Sequence, residues 1–115
     1  AAGKAILAAL PESEVDAIVD QEGLPAVTET TITDRSALDS ELQTIREQGC
    51  AFNRGENIAG LHAVGVTVCD AESRPIGALS ISGPSHRLMG PYLTEELPAL
   101  LLGTANELEL NIAYR

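Results

Sequence analysis

The chain has 115 residues, enough for one compact domain around one core. Hydrophobic residues make up 44% but aromatics only 3%, with no Trp, so the core has to be assembled from Ala, Val, Ile and Leu. No apolar run approaches the roughly 18 residues of a membrane span, and the amino terminus carries no secretory pattern, which excludes a helical membrane protein and leads us to expect a soluble, cytoplasmic one.

Seventeen acidic residues against seven Lys and Arg give a formal net charge of −10. Such a surface repels phosphate backbones, so this segment by itself is not expected to grip nucleic acid. Lys4 is the only lysine; the other basic residues are Arg. Carboxylates in excess with lysine avoided suit a salt-rich cytoplasm, the bland alternative being solubility alone.

Residues 1–10 are rich in Ala, with Ile6 and Leu10 four apart, and predict a helix stopped by Pro11. Ser13 with Asp16 three residues on resembles a capping box for a short second helix carrying Val15, Ile18 and Val19, closed by Gly23. Residues 24–33 lack a helical period and read as an extended connection. Thr33 or Asp34 then caps a third helix running to about Gln48, with Leu38, Leu42 and Ile45 on one face and Gly49 as its stop.

From there the pattern changes to strands: a short one over 50–54, a turn at 55–57, a Val-rich strand over 61–70, and an alternating strand over 76–82, the last two forming an antiparallel hairpin. Ser82-Gly83-Pro84 ends the sheet. A final helix starting between Thr94 and Pro98 places Leu97, Leu101, Ala105, Leu108 and Ile112 on one stripe; Pro98 argues for a start close to it, because proline is tolerated in the first turn. The order predicts an α+β fold, with helices packed on an antiparallel sheet.

Catalytic chemistry finds little to work with. Two His, two Cys and scattered carboxylates form no His-Glu-x-x-His helix and no Gly-x-Ser-x-Gly elbow. His62 and His86 read as structural or solvated histidines, and Cys50 and Cys69 as free, inert thiols of a reducing compartment. No enzyme, metal site or cofactor is expected. What stands out is a set of small polar groups. Ser80 and Ser82 are two apart in a strand and so share a face of the sheet, with Ile81 on the other. Two hydroxyls on one face can hold a small anionic or carbonyl ligand where that face lines a cavity; a polar face in contact with water is the even-weighted alternative. Asn53 on a neighbouring strand adds an amide, and the helix start at Ala1-Ala2-Gly3 offers bare N–H groups suited to a carboxylate.

Several stretches resemble the effector-binding domain of the IclR family. Ala2-Gly3-Lys4-Ala5-Ile6-Leu7-Ala8 resembles the family's Gly-Lys-Ala-Leu-Leu helix, Thr30-Thr31-Ile32-Thr33-Asp34 its Thr-Ile-Thr-Asp helix entry, and Ile45-Arg46-Glu47-Gln48-Gly49-Cys50-Ala51 its Val-Arg-Glu-Arg-Gly-Tyr-Ala junction. Gly60 is followed by a strand, and Ala78-Leu79-Ser80-Ile81-Ser82-Gly83-Pro84 with Arg87-Leu88 is similar to the family's Ala-Leu-Ser-Val-Ser-Gly-Pro segment.

The resemblance implies a GAF-like or profilin-like antiparallel sheet with packed helices. It also implies a pocket for a small organic acid or other oxygen-rich metabolite, and transcription regulation by a dimer or tetramer. In the family a winged helix-turn-helix that reads DNA precedes this domain. The resemblance begins part-way into the family pattern, so we expect a partial effector-binding domain over 1–115, with DNA bound only through that preceding domain and with an exposed, self-associating sheet edge.

Carried over by position, the effector site comprises Ala1, Ala2, Asn53, Leu61, Ala63, Ser80 and Ser82, enclosed between sheet and helix. In small-acid-binding members the position of Asn53 is Asp and that of Ala63 is Cys, so the ligand is expected to differ from a two- or three-carbon keto acid. Some relatives bind metal here; two separated histidines do not predict it. The alternative of a different class is an oligomerisation module that no longer senses a ligand. An enzyme on the same fold is the third reading.

Overall fold

The structure, a computed structural model, describes residues 1–22, 34–56 and 58–113. Helix α1 spans Ala2–Ala9, α2 Glu12–Glu22, α3 Arg35–Gln48 and α4 Leu97–Ala113. Strands β1 (Ala51–Arg54), β2 (Leu61–Cys69) and β3 (Pro75–Pro84) form one antiparallel sheet in the order β1-β2-β3. This is the expected α+β arrangement.

Local chemistry explains most boundaries. Leu10 is driven to extended backbone (φ −83°, ψ 153°) by the proline after it, which ends α1. Asp34 caps α3 by accepting the Ser36 N–H at 3.2 Å, and Gly49 ends it at φ 83° with its own N–H bonded to Ile45. The capping box expected at Ser13 does not form. Helix α2 begins at Glu12, so Ser13 is already helical, and the N–H groups of Glu14 and Val15 both bond to the Pro11 carbonyl. A rigid proline at the entry, followed by Glu12 and Glu14 in the first turn, starts the helix without a side-chain cap. Gly23, the 24–33 connection and the Thr33 alternative lie outside the described residues.

The last helix begins at Leu97, within the expected window, but a helical turn that the sequence did not predict precedes it. Pro98 cannot donate a backbone hydrogen bond, and the chain accommodates it by winding a π-helical turn over Tyr92–Glu96, with the Leu97 N–H bonded to the Tyr92 carbonyl, before α4 proper. Leu97, Leu101 and Ala105 are buried as the stripe requires and Ile112 is partly so, whereas Leu108 is exposed.

The sheet separates two apolar clusters. On one face Phe52, Val64, Val66 and Val68, with Leu79 and Ile81 at the edge, pack against Leu93, Leu97, Leu101 and Ala105. The helical layer on the other side is held by Ala5, Ala8, Val15, Leu38, Leu42, Ile45 and Ala51. Strict alternation along β2 and β3 therefore sends Val64, Val66, Leu79 and Ile81 to α4, and the residues between them to α1.

Candidate functional site

The face of the sheet turned to α1 is built in cross-strand rows. Asn53, Ala63 and Ser82 form one row; Ala51, Gly65 and Ser80 form the next; Leu61, opposite Pro84, lies beyond the first. Pairing register alone thus brings five of the expected site residues, Asn53, Leu61, Ala63, Ser80 and Ser82, onto one surface.

The amino end of α1 completes it. A Cβ added to Gly65 would lie 2.9 Å from the Ala1 carbonyl carbon and 3.0 Å from the Ala2 nitrogen. Ala1 and Ala2 therefore sit directly over the middle strand, between Ala63 and Thr67 and beside Ser80. No side chain caps this helix end, and its first turn holds no acidic residue, so its amide groups and positive dipole end are presented at the face.

Three contacts fix the helix there. Thr67 donates its hydroxyl to the Ala5 carbonyl at 2.7 Å, and Arg46 Nε donates to the Ala8 carbonyl at 2.8 Å. Lys4 Nζ donates to the Phe52 carbonyl, to both Glu56 carboxylate oxygens at 2.9 and 3.0 Å, and to Glu41 at 3.2 Å. One ammonium joins α1 to α3, to strand β1 and to the turn after it.

The residues differ in exposure, and here the sequence-based picture needs correction. Asn53 and Ala63 are buried, and Ala1, Ala2 and Leu61 are partly so, but Ser80 and Ser82 are both exposed. Helix α1 packs against both β2 and β3 but leaves Ser80 and Ser82 of β3, the edge strand, uncovered. The expected enclosed hollow is therefore an open face in residues 1–115, because closure is a property of whatever packs over β3 and not of the strand's own alternation. The Asn53 side-chain carbonyl accepts the Glu56 N–H at 2.8 Å, which leaves its NH₂ as the donor it can offer.

Sequence reasoning passed over Gly65, Lys4 and Thr67. The signal for Gly65 was present: a lone glycine inside the valine-rich stretch 62–68 marks close approach of another backbone. For Lys4 it was compositional, as the sole lysine in a chain otherwise using Arg.

The other candidates take structural roles. His62 Nδ1 lies 2.6 Å from the Leu88 carbonyl, an arrangement that makes Nδ1 the protonated donor and ties the β3–α4 connection to β2. Cys50 and Cys69 are free thiols. Burial pushes the Cys50 thiol up, and burial followed by the nearby Glu109 and Asp70 carboxylates pushes Cys69 up, so both stay protonated and poorly nucleophilic. Among the described residues no group of three His, Cys, Asp or Glu could hold a metal ion, and no helix is long and apolar enough to cross a membrane.

Fold and site together define a sheet-and-helix domain presenting hydrogen-bond donors and a helix amino end, with no assembled nucleophile or acid–base pair among the described residues. The family profile described as "Bacterial transcriptional regulator IclR C-terminal" matches residues 1–110. The probable HTH-type transcriptional regulator ArcR of Halobacterium salinarum is 34% identical over 112 residues, 97% of this chain and 43% of that protein. The acetate operon repressor of Salmonella typhimurium is 36% identical over 109 residues, 95% of this chain and 39% of that protein.

Among solved structures, the Thermotoga maritima IclR superposes with a TM-score of 0.90 at 35% identity, over 97% of this chain and 45% of that one. The inducer-binding domain of a PobR double mutant from Acinetobacter, solved with 3-hydroxybenzoic acid, gives 0.87 at 30% identity, over 94% and 62%.

The chain belongs to the IclR C-terminal domain family. Its relatives are transcriptional regulators and not enzymes, and it spans about two-fifths of the length of the two curated relatives.

Proposed function

We propose that residues 1–115 form the effector-binding part of an IclR-type transcription regulator working in a salt-rich cytoplasm. In this reading a small organic acid or other oxygen-rich metabolite binds at Ala1, Ala2, Asn53, Leu61, Ala63, Ser80 and Ser82. Binding biases how subunits of a dimer or tetramer are arranged, and so how winged helix-turn-helix domains outside these residues meet DNA. The net charge of −10 supports assigning DNA contact to such a separate domain. The ligand acts only to the extent that it binds one arrangement more tightly than the other.

The observation that carries the reading is the convergence of Asn53, Ala63, Ser80 and Ser82 around the uncapped amino end of α1. The serine hydroxyls and the helix amides would hold a carboxylate, while Asn53 presents a neutral amide beside them. Because Ser80 and Ser82 are exposed, the reading requires a covering wall from outside residues 1–115.

A thermal-shift screen of small keto acids and hydroxybenzoates in high salt, 3-hydroxybenzoate included, supplies the probe, and calorimetry then compares wild type with the Ser80→Ala, Ser82→Ala double variant. We expect at least a tenfold loss of affinity with unchanged unfolding temperature, each lost hydrogen bond to a charged ligand being worth about 1.5–3 kcal/mol. Unchanged affinity would remove the serines from the site.

The open β3 edge, with Ile76 exposed on it, favours a second reading, an oligomerisation module that no longer senses a ligand. A silent screen together with a stable oligomer selects that one.

A further inference from the structure

The carboxyl end of α1 borders a separate cleft. It holds about 700 Å³ and is walled by the end of α1, Pro11 and Glu14 at the start of α2, Arg46 of α3, and the β2–β3 turn with Ser73 and Arg74. None of the seven residues of the proposed effector face lines it.

Two guanidinium groups in one cleft of this chain call for explanation. Carboxylates outnumber basic residues seventeen to seven: Lys4 pairs with Glu41 and Glu56, and Arg35 with Asp16 and Asp39, while Arg54 lies over the Phe52 ring and, like Arg87, makes no ion pair among the described residues. Arg46 and Arg74 form no ion pair among the described residues.

Each has a neighbouring carboxylate, and neither is engaged by it. Asp70 turns an oxygen to the N–H groups of Glu72 and Arg74, at 2.9 and 3.0 Å, and so closes its own turn. Glu14, also in the lining and exposed, forms no ion pair with either arginine among the described residues. Arg46 is also oriented: its Nε is held by the Ala8 carbonyl, which leaves the paired Nη groups to act as a fork. Arg74 follows Ser73, whose φ of 63° is a left-handed conformation unusual for a residue with a side chain. The turn is therefore a defined shape and not a generic loop.

We propose that this cleft is a second small-molecule site, selective for a small dicarboxylate held by Arg46 and Arg74, each guanidinium taking one carboxylate. Planar forks matched to planar carboxylates give the selectivity, and the cleft has ample room for a small dicarboxylate with accompanying water. The inference stands apart from the effector-face reading, because it uses different residues at the other end of α1.

The test is calorimetry of the 115-residue chain with succinate as the probe, acetate as the single-carboxylate control, and chloride at matched ionic strength to remove general screening. Succinate is expected to bind saturably and at least tenfold more tightly than acetate. Arg74→Gln, on an exposed turn, should weaken succinate about tenfold or more without altering the unfolding temperature. Arg46→Gln should weaken succinate likewise, at some cost to α1. The proposal is overturned if succinate shows no saturable binding beyond chloride, if acetate binds as well as succinate, or if the Arg74→Gln and Arg46→Gln, Arg74→Gln variants bind as wild type does.

Discussion

A glycine inside a β-strand ordinarily weakens it, through extra backbone freedom and a missing side chain. Gly65 is retained in the middle of β2 because the backbone of Ala1 and Ala2 occupies the space a Cβ would need. In Gly65→Ala the obstructing atoms are main chain, so no rotamer change relieves the clash, and the amino end of α1 has to lift. Overpacking of this kind costs about 1–3 kcal/mol. Urea denaturation should show that loss, and any ligand of the α1 face should weaken with it. A variant as stable as wild type would mean that the helix end is not seated on the strand. Lys4 offers the complementary test. Its side chain is 13% exposed and its ammonium meets two carboxylates and a carbonyl, so Lys4→Met removes from the partly buried Glu56 carboxylate and the Phe52 carbonyl the cation they share. We expect a loss of about 1–3 kcal/mol by the same measurement, larger than for an exposed ion pair because water screens this one less. A loss under about 0.5 kcal/mol would reduce the cluster to a surface pair.

Elements whose ends depend on one residue's chemistry could be read from the sequence. Asp34 and Gly49 delimit α3 as expected, since a carboxylate oxygen at the entry and a left-handed φ at the exit are single-residue properties. Asp34→Ala and Gly49→Ala should each cost about 1 kcal/mol. The fourteen-residue helix holds the two sites roughly 20 Å apart, so the double variant should equal their sum to within about 0.5 kcal/mol. A clear departure in chemical denaturation would show the two ends to be coupled. The π-helical turn over Tyr92–Glu96 was not legible. It arises from a compromise between Pro98, which interrupts the hydrogen-bond ladder, and the packing of Leu93 and Leu97, which keeps the chain helical through it. Alternation placed Ser80 and Ser82 on the α1 face correctly, because a strand's period is local. Their exposure depends on what covers β3, and no pattern within the strand encodes that.

At the scale of the whole molecule, the net charge of −10 is the property most visible in the sequence and least used by any one contact. Among the described residues the ion pairs around Lys4 and Arg35 involve four carboxylates, Glu41, Glu56, Asp16 and Asp39, of the seventeen in the chain. The rest repel one another, which destabilises the compact state, and salt should relieve that repulsion. The unfolding temperature is expected to climb with potassium chloride, by about 4–8 °C for each kcal/mol regained. Two physical origins separate by concentration. Simple screening is largely complete once the Debye length falls to a few ångströms, near 1 M, and the curve should then flatten. A surface whose carboxylates organise ions and water for a salt-rich cytoplasm should go on stabilising beyond that point. Scanning calorimetry from 0.1 to 3 M therefore distinguishes a merely acidic domain from a salt-adapted one, and an unfolding temperature indifferent to salt throughout would show that charge repulsion does not govern stability here at all.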